Sequence, residues 1–441
     1  MNQRIVIPIV GLLFSLITLL FAIGGSAHSQ TNENVVFLNH ADSLVGTEID
    51  GEKARLLIGN VKFTQGKIII TCQKAVQYLK SNKVTMEGVV EVRDDSMRMV
   101  AQRGLYDANT KIVEGFERVR LEDRTTTLNA LYGKYFSEEK RAYFSGNVSV
   151  QDTASTLTCD ELTYYRESQN LIADRNVVII NPENNLMLMC GHFENDKKAG
   201  MSLMTNRPMA LQVETSSDGT IDTLIVTSRM MESFQDSTQR LIATDSVTLT
   251  RNGLAAEGGI AIFMMKLDSI NLQRTPIMWY SGAGSETTQV VGDSMFVKLI
   301  QRKLNKLYVR GNAFAVSQAD SIDRRRYNQL TGEELVIKFS GNAISAIDVD
   351  KTATMVYYVY DGGLPDGLNK TSGDHVTMSF IDKKIDQIKV AGGIEGQYVP
   401  ERLIRGREFE YNLPGFKWRS RRYQRSIGSN REHVNAGTNG K

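Results

Sequence analysis

Gly59-Asn60-Val61-Lys62-Phe63-Thr64-Gln65-Gly66-Lys67-Ile68-Ile69-Ile70-Thr71-Cys72 is the stretch on which the reading of this chain turns. Apolar and polar side chains alternate on both sides of Gly66-Lys67, the pattern of two strands that each bury one face. Steps of 29 residues from Val61 reach Val90, Val119, Val148 and Val177, and the same steps from Phe63 reach Val92, Leu121, Val150 and Ile179. Two further columns keep the register: Ile70, Met99, Leu128, Leu157 and Leu186, and Cys72, Ala101, Ala130, Cys159 and Leu188. A unit of this kind cannot bury its apolar face alone, so stacked units turn the columns into continuous stripes along an elongated core.

Around that array the composition is that of a folded, solvated protein. The 441 residues include 41% hydrophobic and 23% charged residues, 36 glycines and 7 prolines. This is more chain than one compact core usually holds, which favours a long array over a single globule. A short positive start, Met1 to Arg4, precedes an apolar run from Ile5 to Ile23 and the small-residue stretch Gly24-Gly25-Ser26-Ala27-His28-Ser29. Residues 1–29 read as a secretory signal cut after Ala27 or Ser29; left uncut, the run would anchor the chain, since a span takes about 20 apolar residues. Cys72, Cys159 and Cys190 are too few for a disulfide framework. A Cys159–Cys190 bridge fits an oxidising compartment, but small buried apolar side chains are the simpler expectation.

Each unit is expected to hold two or three short strands. Gly59-Asn60, Glu87-Gly88 and Gly146-Asn147 precede a strand, where residues tolerant of positive φ allow tight reversals. Asp94-Asp95, Glu122-Asp123 and Gln151-Asp152 end it. Tyr106, Tyr135, Tyr164 and Phe193 form another 29-residue column, expected to be a structural ladder of neighbouring aromatics. The step fails at Asn206-Arg207-Pro208, where proline would delete a ladder hydrogen bond, so a seam or edge and a block boundary are expected there. A second, diverged block resumes the strand pattern over 206–404; Gly311-Asn312-Ala313 and Gly341-Asn342-Ala343 repeat within it. From Arg405 a tail to residue 441 carries nine basic and three acidic residues, densest at Arg419-Ser420-Arg421-Arg422-Tyr423-Gln424-Arg425. It is expected to be polar and flexible, either solvated or drawn to anionic lipid; export argues against nucleic acid.

Catalytic patterns are missing from the sequence. His28, His40, His192, His375 and His433 have no metal-ligand spacing, and no metal or other cofactor is implied. Gly282-Ala283-Gly284-Ser285 lacks the following Lys-Ser or Lys-Thr of a phosphate loop. Acidic pairs such as Asp94-Asp95 and Asp160-Glu161 are expected to keep turns wet. What remains is a long apolar interior, with Phe63, Ile70, Met86, Val92, Met99, Leu121, Leu128, Phe144, Val150 and Leu157 as candidate residues of a lipid-binding groove, placed facing inward by alternation alone. The stripes either close on each other or leave a slot for acyl chains, each buried methylene contributing about 0.8 kcal/mol. Met187, Met189, Met201 and Met204 extend the flexible thioether content of those stripes. The end strands are templates for another chain's strand, with Pro208 and Arg324-Arg325-Arg326 as expected gatekeepers.

Three segments carry a family likeness: Gly59-Asn60-Val61-Lys62-Phe63, Ala101-Gln102-Arg103-Gly104-Leu105-Tyr106-Asp107 and Ala142-Tyr143-Phe144-Ser145-Gly146-Asn147-Val148-Ser149-Val150. Glycine, valine and tyrosine at this strand spacing resemble the OstA/LptA-like domain of lipopolysaccharide transport, well over residues 41–205 and loosely over 220–400. That resemblance implies an all-β fold, an open β-jelly-roll in tandem over 30–205 and 206–404. It further implies a non-enzymatic periplasmic protein that shelters the lipid A acyl chains of lipopolysaccharide and helps bridge inner and outer membranes. Its implied partners are other jelly-roll subunits of the transport system and an outer-membrane assembly porin, joined edge to edge; the unpaired end strands by themselves also allow head-to-tail self-association. The chain is longer than the family's single-domain bridge component and carries a basic tail. The competing expectation is a closed parallel β-helix serving as a surface adhesin or glycan-binding protein.

Overall fold

The computed structural model describes residues 35–215, 219, 221–281, 287–319, 323–341, 343–382 and 384–420. The expected signal at 1–29, the glycine cluster at 282–285, Asn342, and tail residues 421–441 lie outside the described residues. Within them, 28 strands form one hydrogen-bonded ladder from Phe37 to Pro400. Neighbouring strands pair antiparallel throughout. A parallel β-helix is thereby overturned: the chain reverses by short hairpins, which parallel strands cannot use. The protein is an all-β, antiparallel repeat of the jelly-roll kind.

One 29-residue unit is a pair of long strands, such as Lys83–Asp94 and Met97–Asp107, rather than two or three short ones. The chain turns back at Gly66-Lys67 and Asp95-Ser96. Gly59-Asn60 does something else. The register of Glu52–Gln65 on Ile68–Tyr78 slips between Ile58 and Val61, so that Gly59-Asn60 lies opposite Gln73 alone. Both residues have positive φ, 78° and 47°, and the paired positive-φ residues recur at Gly88-Val89, Glu117-Arg118, Gly146-Asn147 and Arg175-Asn176. Two residues facing one is a β-bulge, which bends the strand that carries it. The expected reversals are therefore creases in mid-strand. Stacked at a constant step, they fold the ladder lengthwise into two facing arms.

The first arm ends in a lip of hairpins at 65–68, 94–97 and 123–126; the second ends in hairpins at 78–83, 107–112 and 136–141. One continuous apolar cluster fills the space between the arms, from Leu57 to Met378.

At Asn206-Arg207-Pro208 the crease widens into a break. Met201–Thr205 and Met209–Thr215 both pair with Leu186–Asp196, one on each arm, and Asn206 and Arg207 keep the paired positive φ. Pro208 sits where the bulge interrupts the ladder, so its missing N–H removes no ladder bond. The segment is a broken strand inside the sheet and not a sheet edge. Arg326 is no edge gatekeeper either: it is buried and forms a double hydrogen bond with Glu401.

Residues 405–420 of the expected flexible tail are folded. After strand Glu395–Pro400 and the helical turn Glu401–Ile404, the chain returns along the outer face of the first arm. Phe314, Val316, Val356, Tyr358, Leu368 and Val399 present that face to Ile404, Leu413, Phe416 and Trp418. Gln289 and Trp279 donate to the carbonyls of Lys417 and Arg419. Apolar residues of opposite strand parity made the difference: a strand apolar on both faces needs a second cover.

Candidate functional site

All ten inward-facing candidates, Phe63, Ile70, Met86, Val92, Met99, Leu121, Leu128, Phe144, Val150 and Leu157, belong to the central cluster, and none is more than 7% exposed. The extra residue of the bulge keeps inward parity along the strand that carries it, so Met86 and Val92 face the same interior from either side of the crease; on the partner strand the parity flips, from Met99 and Ala101 to Gly104 and Tyr106. Along this stretch the arms touch. A Cβ on Gly115 of the second arm would lie 3.1 Å from Ala101 Cβ and 3.6 Å from Met99 Cε of the first. At Gly133 it would lie 2.8 Å from Val119 Cγ1 and 2.9 Å from Phe144 Cε1. Glycine leaves the volume that the facing large side chains occupy, so the interior over these units is packed to contact.

The lips are joined by a polar row that strand-end chemistry alone did not suggest. Gln65, Asp94 and Asp123 stand 29 residues apart on the first lip and are buried, as are Tyr106, Tyr135 and Tyr164 on the second. Each tyrosine hydroxyl donates across the gap to the residue 41 positions earlier: Tyr106 to Gln65, Tyr135 to Asp94 at 2.7 Å, and Tyr164 to Asp123 at 3.3 Å. Asp94 also accepts from Ser137 at 3.2 Å and from Lys140 Nζ at 2.8 Å. Arg166 lies between the carboxylates, 3.6 Å from Asp123 and 3.8 Å from Asp94, and donates to Ser96.

Burial alone would raise the Asp94 carboxyl, but the hydrogen bonds from Lys140 and Tyr135 hold it below the usual carboxylate range. Burial pushes the Tyr164 phenol up to about 12, with Asp123 adding to the effect. The tyrosine column is thus a set of cross-lip hydrogen bonds. Asp94, expected to wet a turn, is dry, as is the strand-ending Asp123; Asp95, next in the chain, is exposed. Coincident 29-residue columns of tyrosine and of Gln/Asp were the signal available for finding them.

Further along, the seal changes. Phe193 holds the fourth place in the tyrosine column and has no hydroxyl to donate. Asp152, its expected partner, is exposed and accepts from the backbone of Ala154 and Ser155. Inward-facing Leu171, Ile179, Leu186, Leu188 and Leu224 are only partly buried against the core. Contact between the lips resumes at Arg302, whose guanidinium lies 3.8 Å from Glu214 and whose carbonyl accepts from Arg251 at 2.8 Å, and again where Tyr280 meets Phe339 edge-on, 5.1 Å between ring centres.

The three cysteines are free and buried, and burial pushes their thiols up, Cys72 and Cys190 to about 11 and Cys159 to about 12. Cys159 and Cys190 do not pair. His192 lies between Asp174 and Glu194, and His375 contacts Asp350 and Thr377. Among the described residues no group of three or more His, Cys, Asp and Glu is placed to hold a metal ion. Among them, too, no helix is long and apolar enough to cross a membrane.

The architecture defines a class: an antiparallel β-array folded along its length around an apolar interior. Residues 33–188 match the family described as OstA-like protein. No curated protein matches the chain. Among solved structures, LptH from Pseudomonas aeruginosa, the LptA homologous periplasmic component of the conserved lipopolysaccharide transport device, aligns with 34% of this chain and 82% of its own. The identity is 14% and the TM-score 0.20, a likeness too distant to carry an argument.

Proposed function

We propose that the protein is a non-enzymatic, lipopolysaccharide-binding transport component, exported to the periplasm, whose folded sheet takes the lipid A acyl chains between its arms. One observation carries the reading: in a chain whose residues 33–188 match the OstA-like family, the inward residues form a single apolar cluster along the whole array. Thioethers at Met86, Met97 and Met99 allow that packing to readjust around a chain. A chain of about a dozen methylenes contributes about 0.8 kcal/mol for each one buried, against which parting the arms must be set.

Bridging between membranes would use the ends of the ladder. Among the described residues, strand Ser43–Ile49 pairs on one side only, with Glu52–Gln65, and carries exposed Leu44 and Val45. At the other end, again among the described residues, Lys384–Ala391 pairs only with Leu364–Ile381. Both are open edges for strand addition by a related subunit, an outer-membrane porin or a second copy. With the strands antiparallel, the adhesin reading loses the closed parallel helix on which it was built.

Photo-crosslinkers placed at Phe63 and Met99 in cells are expected to capture lipopolysaccharide at least tenfold above the outward-facing sites Lys62 and Arg98. Equal capture at both sets sinks the interior as the lipid site.

A further inference from the structure

We infer that the cross-lip row is a clasp that keeps the interior shut between Gln65 and Arg166, and that the stretch from Leu171 to Leu224 is a lateral mouth through which the interior is reached. The inference rests on the acyl-chain reading for what passes through the mouth, but not for the mouth itself.

Three observations converge on one place in the ladder. The donor column loses its hydroxyl at Phe193. The acceptor column leaves the lip at Asp152, which turns to its own hairpin. The inward apolar column changes from sealed to partly exposed at the same units: Met99 is 2% exposed, whereas Leu186, in the same column, stands open enough to meet solvent. Among the described residues no hydrogen bond or ion pair joins the lips between Asp152 and Glu214, which pairs with Arg302 at 3.8 Å beside the Arg251–Arg302 contact.

The physical logic lies in the kind of bond used. Apolar contact alone would let the arms part anywhere along the array at similar cost per unit. A buried carboxylate with tyrosine, serine, lysine and arginine around it is costly to expose piecemeal, because each group left behind is buried and unpaired. Opening is therefore confined to units without such a group. An acyl chain would enter sideways at Leu171–Leu224 and advance under the clasp along the apolar column.

The test compares two thiols in one column. Met99→Cys and Leu186→Cys are made separately, and reaction with a small maleimide is followed by peptide-resolved mass spectrometry against the parent chain, whose three buried thiols set the background. The Leu186→Cys thiol is expected to react at least tenfold faster than the Met99→Cys thiol; equal rates overturn the mouth. Adding Tyr135→Phe and Tyr164→Phe, which keep both rings, is expected to speed the Met99→Cys thiol at least threefold and leave the Leu186→Cys thiol unchanged. No acceleration overturns the clasp, and so does equal acceleration at both positions, which would mean general loosening; Tyr164→Phe alone repeats the comparison with a single hydroxyl removed. Because the reagent needs no lipid, a fast Leu186→Cys thiol without lipopolysaccharide capture at Phe63 or Met99 would sink the transport reading and leave the mouth standing.

Discussion

Two stretches with the same strand pattern keep their apolar residues dry by different means. Between Gln65 and Arg166 the strands bury one face, and the open side of the fold is closed from within by hydrogen bonds between the lips. Between Phe314 and Trp418 the strands of the first arm are apolar on both faces, and the chain's own continuation covers the outer one. In the first stretch dryness depends on a few buried polar groups; in the second it depends on area. The two respond differently to perturbation.

The largest difference is expected at Asp94. Removing its carboxylate strands Tyr135, Ser137, Lys140 and Arg166 around an empty centre, so Asp94→Ala should cost about 3–5 kcal/mol in urea unfolding. Asp95→Ala, one residue along but exposed, should stay within about 0.5 kcal/mol of the parent. On the strapped side Leu413→Ala should cost about 2–4 kcal/mol through the cavity it leaves. Hydrogen exchange should place that loss at residues 314–316 and 356–358 and leave 57–164 unchanged; a uniform loss would show that the two stretches unfold as one unit. The same measurement bears on a boundary at residue 206, which we propose as the division between blocks 30–205 and 206–404. Gly133→Ala should cost about 1–3 kcal/mol by forcing Phe144 and Val119 aside, as judged from the melting midpoint.

The clasp should also have a pH signature that the strap lacks. Asp94 is held below its ordinary value of 3.8, so its contribution is present above that pH and is lost as pH falls through the lower folded value. Tyr164 is raised from 10.0 to about 12, so its contribution is present below pH 10 and is lost as pH rises toward 12. Asp94→Asn should flatten the acid limb of a stability–pH curve, and Tyr164→Phe the alkaline limb. The smallest effect belongs to the crease. Val89 has φ 44°, a strained value for a β-branched residue, where other units place Asn60 and Asn147. Val89→Asn should raise stability by about 0.5–1 kcal/mol in the same urea experiment, since a residue tolerant of that conformation relieves the strain.

The 29-residue step and strand alternation were sufficient to indicate stacked strands and to select ten inward residues that the structure buries. They succeed because parity is local: side chains two apart share a face whatever the strand packs against. The same locality explains what they missed. A Gly-Asn pair shows that the backbone can take positive φ, but whether the chain reverses or merely creases depends on the partner strand's register. Asp94 and Asp95 are neighbours in sequence with opposite fates, because Asp94 is buried against a tyrosine 41 residues away and Asp95 stands exposed, in a surface ion pair with Lys67. The basic count beyond Arg405 hid Leu413, Phe416 and Trp418, whose cover exists only once distant strands align their second apolar face.

The sequence by itself determined the repeat, the inward parity and the composition of the interior, all of them properties of residues a few positions apart. Only the tertiary structure decided that the strands run antiparallel, that the ladder folds along a crease, and that its arms meet from Gln65 to Arg166 and slacken from Leu171 to Leu224. The direction of the strands and the crease depend on the register between neighbouring strands, and the meeting of the lips on contacts between residues 41 positions apart, which form only if the geometry of every unit between them allows it.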